Sequence, residues 1–176
     1  ILMPDDIKGQ VTRAAGPAFE QMLAGAGASI SSMASSEIYT GMQTGVLDAT
    51  NTSSGSFVSY RLYELVKCYT APGEYALWFM YEPVLISKKT WDGLDKKQQD
   101  ALRAAAKKAE DYFAGEAKKL DDKAVETFKK AGVQVVTMNA EQFGAWKKLA
   151  DQTSYKQFAE NVPGGKELLD KALSVK

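Results

Sequence analysis

Residues 9–51 read GQVTRAAGPAFEQMLAGAGASISSMASSEIYTGMQTGVLDATN. Three short apolar runs, GQVTRA, ASISSM and VLDAT, alternate here with two stretches of helical character. Gly16-Pro17 opens the first helix, since proline at a first-turn position gives up only an N–H that has no helical partner, and Gly25 and Gly27 close it. The second, SSEIYTGMQTG, takes Ser35 or Ser36 as N-cap and Gly45 as its stop. Strands and helices alternating at this length predict βαβ units, and therefore an α/β fold with a parallel or mixed sheet and flanking helices.

Downstream, FVSYRLYELVKCY reads as an amphipathic helix passing into a strand. ALWFMYEPVLISK, residues 76–88, is a long apolar run expected to form a strand that crosses between structural units, with Pro83 placing its middle at an edge or bend. The strongest periodic element covers residues 94–131. Asp95 with Gln98 gives a capping-box start, and Leu94, Leu102, Ala105, Ala109, Tyr112, Leu120, Ala124 and Phe128 recur at helical spacing against a charged face. Such a helix runs about 50 Å, longer than a compact domain of this size, so it must kink near Gly115 or span two lobes. VQVVTM follows as a strand after the Gly132 stop, Asn139 with Gln142 caps a helix through FGAWKKLAD, and Pro163-Gly164-Gly165 divides the last short helices.

The chain has 176 residues, enough for one real core, and 22 basic side chains balance 22 acidic ones. Without a basic excess, nucleic acid is not an expected partner. No run of 18 apolar residues is present to span a membrane as a helix. Histidine is absent, which removes the usual general base and the commonest transition-metal ligand. The single cysteine, Cys68, forms no internal disulfide and is expected as a buried small hydrophobe. No nucleophile elbow, phosphate loop or metal spacing occurs, so neither a cofactor nor a metal is expected.

Two strand ends carry polar groups. Arg13 lies where the first strand meets the small-residue turn before a helix N-terminus, the place where open α/β sheets put ligands, and its planar fork suits a carboxylate. A surface or ion-paired arginine accounts for the residue equally simply. The third strand runs into Asn51, Thr52, Ser53 and Ser54, which spacing alone reads either as a ligand site or as a capped loop. Tyr75, Trp78, Phe79 and Tyr81 are core candidates of which one or two would wall a cleft.

DDIKGQVTRAAG, SSEIYTGMQTGVLDATN, YEPVLISKKTWDGLDKKQQDALRAAAKKA and VETFKKAGVQVV, in this order and at these separations, resemble the substrate-binding proteins of tripartite ATP-independent periplasmic (TRAP) transporters, the DctP-like family. The resemblance runs from about residue 5 to residue 150 and covers the later part of a protein about twice this length. It implies the second lobe of a two-lobed binding protein that closes on an organic acid. Residues 1–90 then form most of that lobe, 91–131 the lobe-spanning helix, and 132–176 the return strand and C-terminal helices. The N-terminal lobe and a signal peptide are expected before Ile1, in a periplasmic protein.

By the same resemblance Arg13 pairs with the substrate carboxylate. Asn51 and Thr52 occupy the strand-end position that contacts ligand, although Ala49-Thr50-Asn51-Thr52 departs from the family's usual residues there. Ser35 replaces a residue that is often aromatic, Trp78 is the aromatic chosen for the cleft wall, and Glu37, Tyr39, Gln43 and Asp48 fall at structural positions. The implied function is receptor work without chemistry: binding a small organic carboxylate and handing it to the membrane subunits of an ion-driven transporter. Two other functions fit the same fold. One is a sensory or regulatory binding domain. The other is an enzyme acting on a carboxylic acid, whose base would have to be Glu37, Asp48, Glu74 or Glu82. A lobe carrying half a cleft is also expected to expose apolar surface, which a dimer or a swapped assembly would cover.

Overall fold

The computed structural model describes residues 1–79 and 83–175. A short 3-10 helix at Pro4–Ile7 leads into β1 (Val11–Arg13), α1 (Pro17–Gly25) and β2 (Ser29–Ile30). A 3-10 turn at Ser35–Glu37 runs into α2 (Ile38–Gln43), followed by β3 (Ala49–Thr50). These strands form a parallel sheet in the order β2-β1-β3, with Thr12 beside both Ile30 and Ala49 and Arg13 beside Thr50. The alternation of the opening stretch therefore does give a parallel sheet. Its strands are shorter than the apolar runs suggest, two or three residues each; SSM after β2 is irregular, although the Ser31 N–H still donates to the Thr12 carbonyl at 3.0 Å.

Glycine is needed where β1 turns into α1. Gly16 has φ +97°, a region costly for a side chain, while nothing stands within 4 Å of a Cβ built there, so backbone angle and not space fixes the residue. At the other end of the chain the requirement is space. A Cβ on Gly165 would come within 2.4 Å of the Phe158 carbonyl oxygen.

Successive β1 side chains point to opposite faces of the sheet and feed two cores. Ala14 joins Ile7, Met22, Leu23, Ala49, Met138, Trp146 and Ala150 beneath α1, while Val11 packs with the cluster of Ile38, Leu47, Leu62, Tyr69, Ala71, Ala124, Phe128 and Val133. Helices thus lie on both sides of the sheet. Asp48 locks β3 to β1 by accepting the Val11 N–H at 2.8 Å, and Glu37 accepts the Ala34 N–H at 2.8 Å, so both serve structure. Ala34 is the N-cap of that turn and has no side chain to offer, so neither Ser35 nor Ser36 is the cap expected from the sequence.

The polar cluster leads into α3 (Ser54–Ser59), a 3-10 turn at Leu62–Glu64 and β4 (Cys68–Thr70). Cys68 is exposed, not buried as expected, because strand alternation turns Tyr69 inward instead. Residues 71–79 and 83–87 contain no strand. The expected crossing strand is therefore absent from the described residues; its middle, Met80, Tyr81 and Glu82, lies outside them. A strand exists only where its N–H and C=O groups find a ladder, and the run instead leaves Phe79, Val84 and Leu85 at 88%, 95% and 84% exposure.

Beyond α4 (Lys88–Asp92), α5 (Lys96–Lys130) runs continuously through Gly115 for 35 residues, about 50 Å. Its capping box is the one read from the sequence: Asp95 accepts the Gln98 N–H at 2.8 Å and Gln98 accepts the Asp95 N–H at 3.0 Å. The apolar stripe divides in two. Ala124 and Phe128 are fully buried against α3, β4 and neighbouring turns, whereas Leu102 and Tyr112 are exposed. β5 (Gln134–Val136) pairs in parallel with β4, Tyr69 beside Val135, and α6 (Ala140–Gln152), α7 (Ser154–Asn161) and α8 (Gly165–Leu173) complete the chain. Trp146 of α6 is 2% exposed and donates its ring N–H to the Leu2 carbonyl at 2.9 Å, tying the first residues to the last third of the chain.

Candidate functional site

In the order β2-β1-β3, the chain leaves β1 toward β2 on one side and later returns to place β3 on the other. The carboxyl ends of β1 and β3 therefore lie side by side at the point where open α/β sheets bind ligands. Arg13 ends β1 and Asn51 follows β3 directly.

Arg13 is 7% exposed. Its Nε donates to the Met33 carbonyl at 3.1 Å, Nη1 to the Asn51 carbonyl at 2.8 Å and Nη2 to Ser35 Oγ at 3.3 Å. These acceptors are all neutral, and among the described residues no carboxylate lies within ion-pairing distance. Three of the five N–H donors of a guanidinium are thus engaged, which fixes its plane and leaves two without a partner among the described residues. Burial lowers its pKa, opposed by the field of Glu20, and at an arginine the group stays charged throughout.

Asn51 is oriented by the backbone. Its Oδ1 accepts the Ala15 N–H at 2.9 Å, so Nδ2 is the other end of the amide, and that donor is buried and without a partner among the described residues. Thr52 beside it is 9% exposed. Ser53 caps α3 by accepting the Ser56 N–H, and Ser54 bonds to Asp121 of α5. The polar cluster is therefore both things its sequence allowed: two residues at a strand end, then the cap of the next helix.

A crevice of about 980 Å³ opens beside Asn51 and Thr52, with Phe19, Tyr75 and Trp78 among its walls. Trp78 is half-buried and meets Phe19 edge to face at 5.4 Å between ring centres. Arg13 and Ser35 do not line this crevice; they lie on the α2 side of the strand ends, and Asn51 connects the two groups. Arg13, Ser35 and Asn51 are thus brought into contact, Thr52 and Trp78 to the crevice next to them.

Two residues beyond the sequence-derived set belong to the same edge. Ser32, just past β2, donates to Glu20 Oε1 at 2.6 Å, and Glu20 is the charged group whose field reaches Arg13. Glu20 sits seven residues after Arg13 in the first turn of α1, a position visible in the sequence. Its meeting with Ser32 is not visible, because it depends on how α1 crosses β2. Of the carboxylates considered as bases, Glu37 and Asp48 are engaged by backbone N–H groups, Glu74 is exposed, and Glu82 lies outside the described residues.

The chain is 37% identical over 169 residues to a solute-binding protein of Albidiferax ferrireducens, covering 96% of this chain and 50% of that protein. It is 30% identical over 151 residues to the C4-dicarboxylate-binding periplasmic protein DctP of Rhodobacter capsulatus, 85% of this chain and 44% of that one. Among solved structures, a TRAP periplasmic solute-binding protein from Rhodoferax ferrireducens with bound malonate superposes with a TM-score of 0.90 at 34% identity, covering the whole of this chain and 58% of that one. The chain thus spans about half the length of the relatives it matches and corresponds to one lobe of such a protein. The sequence profile of that family matches residues 1–161. The chain belongs to the bacterial extracellular solute-binding proteins of family 7, the DctP family.

Proposed function

We propose that this chain is one lobe of a periplasmic TRAP-transporter receptor and that Arg13 holds the carboxylate of a small organic acid. The observation that carries the reading is the state of Arg13: 7% exposed, oriented by three neutral acceptors and without an ion pair among the described residues. A buried cation without a counter-charge is costly, and an incoming carboxylate supplies the missing partner through two parallel charge-assisted hydrogen bonds. Malonate bound in the 34%-identical structure is a ligand of this chemical kind.

Ser35 steers the guanidinium, Asn51 Nδ2 and the Thr52 hydroxyl meet the ligand's further oxygens, and Trp78 walls off solvent. Closure of a second lobe over this edge completes the cleft, with α5 extending toward that lobe. The receptor performs no chemistry and passes its ligand to membrane subunits. In the protein with both lobes, Arg13→Ala is expected to abolish carboxylate binding measured by calorimetry. Arg13→Lys is expected to weaken it, since an ammonium cannot reproduce the fork. Unchanged affinity in Arg13→Ala refutes the role.

A further inference from the structure

We propose, on the reading that Arg13 takes a carboxylate, that Glu20 makes the site selective for acids that also carry a cationic nitrogen. Glu20 and Arg13 are opposite charges at one edge of the sheet that do not join. Arg13 directs its donors to Met33, Asn51 and Ser35, and Glu20 Oε1 is held by Ser32 Oγ at 2.6 Å. Ser32 and Met33 are consecutive, so adjacent residues of the segment after β2 anchor both charged groups.

Glu20 lies in the first turn of α1, whose N-cap is Gly16 without a capping side chain. It is half-buried, with its second oxygen not engaged in any hydrogen bond to the described residues. A counter-ion that served only to neutralise Arg13 would close to contact. This one is tethered at Ser32 instead, while Arg13 is held at the neighbouring Met33. A ligand whose anionic end reaches Arg13 brings the rest of itself into the field of Glu20. A second carboxylate is repelled there, and an ammonium is attracted and given an acceptor.

The test uses the protein with both lobes and acid pairs that differ only in the amine: alanine and propionate, leucine and 4-methylpentanoate, 4-aminobutyrate and butyrate, with malonate as the dianion. Calorimetry is expected to show at least one amine-bearing acid binding about tenfold tighter than its partner. Glu20→Gln should erase that preference while tightening malonate, and Ser32→Ala, which frees Glu20 but keeps its charge, should reduce the preference. Equal or tighter binding of every amine-free partner overturns the proposal. So does a Glu20→Gln protein that keeps the preference or tightens all acids alike, and so does failure of every amine-bearing acid to bind at millimolar concentration. Arg13→Ala separates the two levels: if it binds as the parent does, the carboxylate role of Arg13 is itself wrong, whatever Glu20→Gln shows.

Discussion

Arg13 and Asn51 hold each other in both directions: the Asn51 N–H donates to the Arg13 carbonyl at 3.2 Å, and Arg13 Nη1 donates back to the Asn51 carbonyl at 2.8 Å. A third bond, from the Ala15 N–H to Asn51 Oδ1, closes the clip around the turn that follows β1. Asn51→Ala keeps the two bonds made by its backbone and leaves the Ala15 N–H unpaired, a loss of about 1–3 kcal/mol in stability by urea unfolding. Asn51→Asp retains the acceptor and adds a negative charge beside Arg13. It is expected to stabilise the fold and to weaken carboxylate binding at least about tenfold, because the guanidinium already has its anion. Parent-like affinity in Asn51→Asp would count against Arg13 as the anion site.

Phe128 is fully buried with Tyr69 at 4.4 Å, Phe57 at 5.8 Å and Tyr63 at 6.0 Å between ring centres. Phe128→Ala should cost about 3–5 kcal/mol by transfer and cavity terms together. Leu102→Ala, on the same stripe of α5 but exposed, should cost less than about 1 kcal/mol in the isolated chain. Denaturant unfolding of both variants checks the contrast, and equal losses would mean that the two halves of α5 are packed alike.

Asp6 accepts the backbone N–H groups of Leu2 at 2.7 Å and Met3 at 2.8 Å. Those bonds, Met3 first, hold its pKa below the ordinary 3.8. A carboxyl depressed in the folded state adds stability above its unfolded pKa and loses it as pH falls through the lower folded value. Stability should therefore decline from about pH 4 downward, and Asp6→Asn should remove its share of that decline while leaving the neutral-pH melting curve lower. A parent and variant whose difference is the same at pH 7 and pH 2.5 would exclude this assignment.

Val84 and Leu85 stand 95% and 84% exposed. In isolation the chain is expected to self-associate as its concentration rises, and the Val84→Ser, Leu85→Ser double variant to sediment as a monomer. A monomeric parent at every concentration refutes the expectation.

Much of the fold was legible in the sequence where a local chemical signal fixed it. Asp95 with Gln98 and Asn139 with Gln142 are caps in which side chain and backbone meet three residues apart, and both form as read. Gly45 and Gly132 stop their helices at positive φ for equally local reasons. What failed depended on partners distant in sequence. The period of α5 shows which face is apolar but not whether anything covers it, so Leu102 and Phe128 look alike in the sequence and differ completely in burial. Residues 76–88 have the composition of a strand and no ladder to join among the described residues. The same division applies to the site. Arg13 and Asn51 were legible as strand ends, whereas Ser32 meeting Glu20 and Ser35 orienting Arg13 follow from how chain segments cross.

α5 is a lever with one clamped end. Packing holds it from Phe128 back to Asp121, where Ser54 bonds to it, and it then extends 25 residues to Lys96, about 38 Å of hydrogen-bonded rod. A tilt of about 5° at the clamp displaces the far end by about 3 Å, the length of a hydrogen bond. Small repacking among Phe57, Tyr69 and Phe128 is therefore converted into ångström-scale travel at Lys96, and a load applied at Lys96 returns to those rings as torque.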